Sequence, residues 1–203
     1  MTSFIVTASL DVSIWPYAPD TTYNVNPLHS QGPGTYEWVT LLRFVLPTLS
    51  GAKSAILSLF QTNAAGYDHN YLAKRLLRTD WEENQATWNV YKTGSAWGTS
   101  GAKNTTTDYS TTNAASGAVG SGTGYVPIDV TGIYNDTVGL SLPNLDLVIF
   151  TDSPTTSHDQ QFSDRFQVGQ QPKLDVLLMR ACYLHARRDR MDMRGISTHD
   201  RLA

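Results

Sequence analysis

Residues 79–89 read TDWEENQATWN, which sets two adjacent carboxylates between two tryptophans. Glu82 and Glu83 are two of the three glutamates in the chain, the third being Glu37. Hydrolysis of a glycosidic bond needs two carboxyl groups facing each other across a cleft. A neighbouring pair does not present that geometry and reads instead as a solvated turn. Trp81 and Trp88 suit either of two roles: a platform on which sugar rings stack, or a buried corner that locks the fold. Their spacing would also put both on one face of a helix, so the local structure has to decide. Asp68–His69 and His158–Asp159 carry metal-ligand atoms, but isolated pairs in polar stretches read as turns. No GxSxG elbow and no Ser-His-Asp ordering stands out, and GTSGAK at 98–103 lacks the spacing of a P-loop. The expectation is a protein that is not an enzyme.

The elements that would carry these residues have to fit within 203 residues, most simply one domain with an appendage. Hydrophobic residues make up 40% and aromatics 10%, ample for one core, while charged residues are only 16%. Abundant Thr, Ser, Asn and Gly favour strands joined by turns over long helices. No run approaches the roughly 18 apolar residues of a membrane span. The opening MTSFIVTASLDVSIW has no basic region followed by an apolar one, so it does not read as a secretory signal. With Cys182 as the only cysteine, folding in a cytoplasm is expected. Residues 1–178 carry a net charge of −6 and residues 179–203 a net charge of +3. An acidic body argues against nucleic acid as the partner and makes the basic tail a separate question.

Phe4, Val6, Ala8, Leu10, Val12 and Ile14 alternate with mostly polar neighbours, predicting one first strand. Residues 38–46 are apolar on both faces apart from Thr40 and Arg43, as in a strand inside a sheet, and further strands are expected over 55–61 and 71–79. Of the 32 residues from Thr93 to Gly124, 27 are Gly, Ser, Thr, Asn or Ala. That stretch is expected to bury little and to form a long surface excursion. Alternation resumes at Val126, Ile128 and Val130, then at Leu145, Leu147 and Ile149, then at Leu174, Val176 and Leu178. Short strands, many turns and almost no helical period predict an all-β jelly-roll or Greek-key β-sandwich with a short Arg-rich C-terminal extension. TDWEENQATWN is then a strand end, a turn and a return.

Five stretches in order carry a resemblance. They are TLLRFVLPTLSGAKSAILSLF, LLRTDWEENQATWN, WGTSGA, VPIDVTGIYND and FSDRFQVGQQPKLDVLL. Together they resemble DNRLRE-type domains, jelly-roll modules related to carbohydrate-binding modules. The pattern sets Arg43 and Phe44 before the Gly51–Ala52 turn. It continues with a corner at Trp81, Glu82, Thr87, Trp88 and Asn89, a strand with Asp129, Val130 and Thr131, and a closing strand with Pro172, Lys173, Leu174 and Val176. The resemblance spans residues 3–178, giving a DNRLRE-like domain at 1–178 and a basic tail at 179–203. Two departures stand out: Ser163-Asp164-Arg165 occupies the place of a Ser-x-Glu, and the tail has no counterpart.

Because the corner recurs in such domains whatever the ligand, the resemblance implies that Trp81, Glu82, Trp88 and Asn89 form a structural latch. Glu82 and Asn89 are the expected acceptors for the indole N–H groups. Trp97, set in a Gly/Ser/Thr loop, is the better candidate for an exposed sugar-stacking ring, with Tyr109 beside it and with Asp108 and Asn104 to meet hydroxyls. No cofactor is expected, and a structural Ca²⁺ held by loop aspartates and carbonyl oxygens remains open. The functional expectation is a non-catalytic bacteriophage virion protein. A capsid decoration (cement) protein assembled in the host cytoplasm fits best, with a capsid or other virion protein and further copies of itself as partners. The alternative is a carbohydrate-binding module or adhesin recognising a polysaccharide. Arg187, Arg188, Arg190 and Arg194 are the expected assembly contacts, since the planar guanidinium makes bidentate bonds to carboxylates.

Overall fold

A computed structural model describes residues 2–24, 27–33, 37–63, 69–120, 122–152 and 159–179. Two antiparallel sheets form an all-β sandwich. Sheet A runs β1 (Ser3–Thr7), β13 (Lys173–Leu178), β5 (Ala52–Gln61), β12 (Gln160–Phe162) and β3 (Leu28–Ser30), and β10 (Gly124–Asp129) also pairs with β5. Sheet B runs β2 (Leu10–Ile14), β4 (Val39–Val45), β11 (Asn144–Thr151), β6 (Asn70–Arg75) and β9 (Ala115–Ala118). A small hairpin, β7 (Val90–Lys92) and β8 (Ser95–Ala96), stands outside both.

The inward faces meet in one core. Leu57 and Leu59 of β5, Ile128 of β10 and Leu174 of β13 pack there with Phe44 of β4, Tyr71 of β6 and Leu147 and Ile149 of β11. The helix α1 (Thr131–Gly139) closes one end of this core with Ile133 and Tyr134. Its Asn135 accepts from the Ala52 N–H at 2.8 Å and donates to the Ala52 carbonyl at 3.1 Å. The resemblance motif VPIDVTGIYND had suggested a strand only. The helix starts where the Thr131 hydroxyl donates to Asp129 (2.6 Å) and accepts from the Ala55 N–H (2.9 Å), which turns the chain off the strand.

The expected first strand is two strands. The chain switches sheets at Ala8 and Ser9, whose N–H groups donate to Pro172 and Arg43 carbonyls at 2.9 and 2.7 Å. The alternation is unbroken across the switch, but its two halves serve different cores: Phe4 and Val6 pack on the main core, Val12 and Ile14 on a second one. That second core lies on the outer face of sheet B. Val12, Ile14, Val39, Leu41 and Val148 are covered there by Leu76, Trp81, Ala86, Trp97, Ala102 and Tyr109. The strand expected to be apolar on both faces, β4, is so because both of its faces are largely buried. Conversely, the Thr93–Gly124 excursion buries far more than its composition predicts. Its first half is a third layer on the sandwich.

One carboxylate anchors this layer. Asp146 on β11 sits directly opposite Arg43 on β4, and its Oδ1 accepts from the Arg43 Nε (2.6 Å) and from the indole N–H of Trp81 (2.7 Å). The guanidinium lies 5.2 Å from the Trp81 ring centre and also donates to the Thr79 carbonyl. Trp81 is thus buried and tied down at this corner, and the acceptor of its indole N–H is Asp146, not Glu82 or Asn89. Glu82 is exposed and takes a bond from the Gln85 amide. Asn89 instead joins two turns through side chains, donating to the Asp20 carboxylate (2.9 Å) and accepting from the Ser100 hydroxyl (3.3 Å). Trp88 is only half-buried, pressed against Gly101, where a Cβ would come within 2.5 Å of its ring and where φ is +80°. Burial raises the Asp146 carboxyl above the usual range, while Arg43 and the Trp81 indole pull it down.

Trp81→Ala should cost about 3–5 kcal/mol, as a large core truncation does, and Trp81→Phe about 1–3 kcal/mol for the orphaned acceptor. Arg43→Met strips the counter-charge from a buried carboxylate and should cost about 3–5 kcal/mol at neutral pH. Because the folded Asp146 binds its proton more readily than the unfolded one, the Arg43→Met loss should shrink as the pH is lowered. Urea unfolding of each variant at pH 5 and pH 7 measures both effects; equal losses at the two pH values would contradict the assignment.

Candidate functional site

The four residues expected to meet a glycan do not form one exposed surface. Trp97 is 5% exposed, donates its indole N–H to the Thr87 carbonyl at 2.9 Å and packs 5.5 Å from Tyr91. The expectation of an exposed ring there is corrected. Gly- and Ala-rich neighbours let the backbone lie close to sheet B, so this polar-looking loop turns the Trp97 ring inward. Asp108 is fully buried and accepts from the N–H groups of Gly98 (2.8 Å), Thr99 (3.0 Å) and Asn104 (3.0 Å). Asn104 spends its own carbonyl on the Thr106 and Thr107 N–H groups. Both side chains hold the loop's shape, Asp108 from a fully buried position and Asn104 from a half-buried one.

Tyr109 is the exception. It is buried, yet its ring lines an open groove of about 300 Å³ on the outer face of sheet B, together with Glu37, Leu72, Lys74, Lys103 and Phe150. Leu72 on β6 lies opposite Phe150 on β11, and Lys74 follows Leu72 on the same face. The Tyr109 and Phe150 rings meet edge to face at 5.5 Å. The Lys74 ammonium stands 4.2 Å from the Tyr109 centroid and 5.2 Å from that of Phe150. Across the groove, Glu37 pairs with Lys103, which also lies 5.0 Å from the Trp88 ring centre. This is an aromatic wall with a cation on it, beside an ion pair able to accept and donate hydrogen bonds.

Sequence reasoning missed a second aromatic group. Trp15 and Trp38 stack at 4.7 Å, Tyr17 continues the stack from Trp15 at 5.0 Å, and His29 continues it from Trp38 at 4.6 Å. Tyr23 meets Trp38 edge-on at 4.9 Å. Asp159, which follows His158 in the sequence, accepts from the His29 Nδ1–H at 2.8 Å. The inner rings stack on one another, which makes this column a rigid ridge; only Tyr17 is largely exposed. His158, Asp68 and the tail arginines Arg187, Arg188, Arg190 and Arg194 lie outside the described residues. Among the described residues no three His, Cys, Asp or Glu side chains converge on one point.

Glu83, expected to be solvated, is a structural contact. It accepts from the Asp11 N–H at 2.9 Å and pairs with Arg165, which also lies 3.3 Å from Asp11. The Arg165 N–H donates to Asp11 at 2.6 Å. The departure from the resembled pattern at Ser163-Asp164-Arg165 thus supplies the cation that joins β2 to the TDWEEN turn. No protein-family model matches the chain, and no curated protein matches it significantly.

Burial pushes the Asp11 carboxyl up to about 6, against the pull of the Arg165 N–H and guanidinium. A carboxyl raised above its unfolded value, about 3.9, favours the fold at low pH, and that contribution is lost as the pH rises through 6. Asp11→Asn removes this dependence. Its denaturation midpoint should therefore improve relative to wild type between pH 4 and pH 7; a constant difference across that window would show that Asp11 does not titrate there.

Proposed function

We propose that the chain is a non-catalytic bacteriophage virion structural protein of the capsid decoration type, built on a DNRLRE-like jelly-roll sandwich. The observation that supports this is the contrast between the two outer faces. Among the described residues sheet B is covered, whereas sheet A presents a bare face on which Ile5, Ile56, Phe60, Leu177 and Tyr125 stand among Asp175, Asp129 and Lys173. Ile5 is 64% exposed, and Phe166 and Val168 add apolar surface from the loop whose Gly169 carbonyl accepts from the Tyr125 hydroxyl. Contiguous apolar surface of this kind marks an interaction site.

The occupant we assign to this face is a second copy of the chain. β13 belongs to the face and leads directly into the Arg-rich residues, so a basic segment of net charge +3 starts beside it while the body carries −6. Charge complementarity between the segment of one copy and the body of the next favours self-association over attachment to a basic partner. In the virion such an oligomer sits on the shell, held by several partly desolvated contacts, because lone exposed ion pairs contribute at most about 1 kcal/mol each.

A second reading, glycan recognition, is favoured by the groove at Tyr109 and Phe150, on the sheet opposite the docking face. Both roles fit one molecule, one face for assembly and the other for display.

Sedimentation and density-gradient fractionation test the first reading. The chain should co-fractionate with phage particles, and the purified protein should form an oligomer that weakens as salt rises. Ile5→Lys, or truncation after Leu178, should leave a folded monomer that no longer joins particles. A chain confined to the soluble fraction, or an oligomer indifferent to both changes, overturns the proposal.

A further inference from the structure

The geometry points to an acidic saccharide, a uronic-acid-type sugar, as the ligand of the groove formed by Glu37, Lys74, Lys103, Tyr109 and Phe150. This rests on the glycan reading above and names its substrate class. Around the covered face of sheet B, Arg43, Lys103 and Arg165 each have a carboxylate within ion-pair distance. Lys74 has none among the described residues; its ammonium is held by the faces of two rings. Cation–π contacts orient an ammonium without neutralising it, so a positive charge is left pointing along the aromatic wall. In a body of net charge −6, a pocket with two lysines against one glutamate is a local reversal of sign.

The chemistry required of a ligand follows from that arrangement. It must carry an anionic group to meet Lys74, an apolar face to lie on the half-buried Phe150, and hydroxyls to bond with the Glu37–Lys103 pair. A pyranose bearing a carboxylate offers all three on one ring, with the axial C–H groups on one side and the carboxylate at the edge. The volume, about 300 Å³, is at the small end of ligand clefts, which span about 300–1,000 Å³. It suits a short stretch of saccharide rather than a long chain laid across the sheet. A carboxylate beside Lys74 forms a charge-assisted bond in a partly desolvated setting, stronger than a neutral hydrogen bond.

Affinity electrophoresis of the purified full chain through gels containing polygalacturonate, alginate or neutral dextran tests this. The wild type should be retarded by one or both polyuronates but not by dextran, and retardation should fall with added salt. Lys74→Gln and Phe150→Ala should each weaken retention at least roughly tenfold, as expected for loss of a charged hydrogen bond or of a stacking ring, with melting temperature unchanged in Lys74→Gln. Lys74→Arg, which keeps the charge, should retain binding. Retention on dextran that Lys74→Gln leaves intact overturns the acidic-saccharide inference while the glycan reading stands. Absence of retention in all three gels overturns both, and neither result bears on the docking face of sheet A.

Discussion

The Asp146 carboxylate is the contact on which the rest of this molecule hangs. It is nearly fully buried, and a charge taken out of water costs several kcal/mol unless it is paired and hydrogen-bonded. Arg43 supplies the pairing from the adjacent strand, and Trp81 supplies a second donor from the segment that crosses above. The three groups belong to two strands of sheet B and to the turn leaving it, so none is satisfied unless all three segments are in place. Apolar area gives the third layer its energy; this polar triad fixes where on the sheet the layer lies. The Asp11, Arg165 and Glu83 contact does the same at the other end, joining the turn to β2 and to the loop before β13.

Two such anchors explain why the sandwich is lopsided. A sheet that is apolar on both faces needs a cover, and the 77–110 segment provides it without regular structure of its own beyond one small hairpin. Its large rings, Trp81, Trp97 and Tyr109, fill the cover, and Ala86 and Ala102 are small where they pack among them. Gly101 shows the constraint directly, since any side chain there would enter the Trp88 ring. Sheet A has no such covering segment among the described residues, and its alternation shows the usual pattern of an inward apolar row and a mixed outer row. The division of labour proposed for the two faces follows from this difference in finish.

Much of the sandwich was legible from period-two patterning, because a strand with one buried face writes that face directly into its sequence. The strands over 124–129, 144–151 and 173–178 announced themselves in this way, whereas 39–45 showed as a run that is apolar on both faces. The sheet switch at Ala8 and Ser9 was not legible, since the alternation continues through it and only the destination of the side chains changes. Asp146 was equally hidden: within NLDLVIF it looks like an ordinary polar position, and nothing in the spacing connects it to Trp81, 65 residues away. Composition misled at 93–110, where Gly, Ser and Thr suggested a solvated loop. A fully buried aspartate that collects three backbone N–H groups can organise such a segment as well as a hydrophobic core does, and composition does not show it. Of the expected ligand-facing residues, Tyr109 alone reaches an open groove.

The position of that groove depends on the anchor. After crossing the sheet, the covering segment returns beside the end of β6, where Leu77 donates to the Asp108 carbonyl, Ser110 donates to the Arg75 carbonyl and Leu76 bridges to Tyr109. Those bonds place the Tyr109 ring against Phe150 and under Lys74. The ammonium stays over the two rings because the covering segment stops there and leaves the end of β11 partly open. Had the segment run one strand further, Phe150 would be a core residue and Lys74 would need a carboxylate. The one unpaired cation among the described groove residues follows from where the third layer ends, and the pairing of Asp146 with Arg43 and Trp81 anchors that layer further along β11 on the same face.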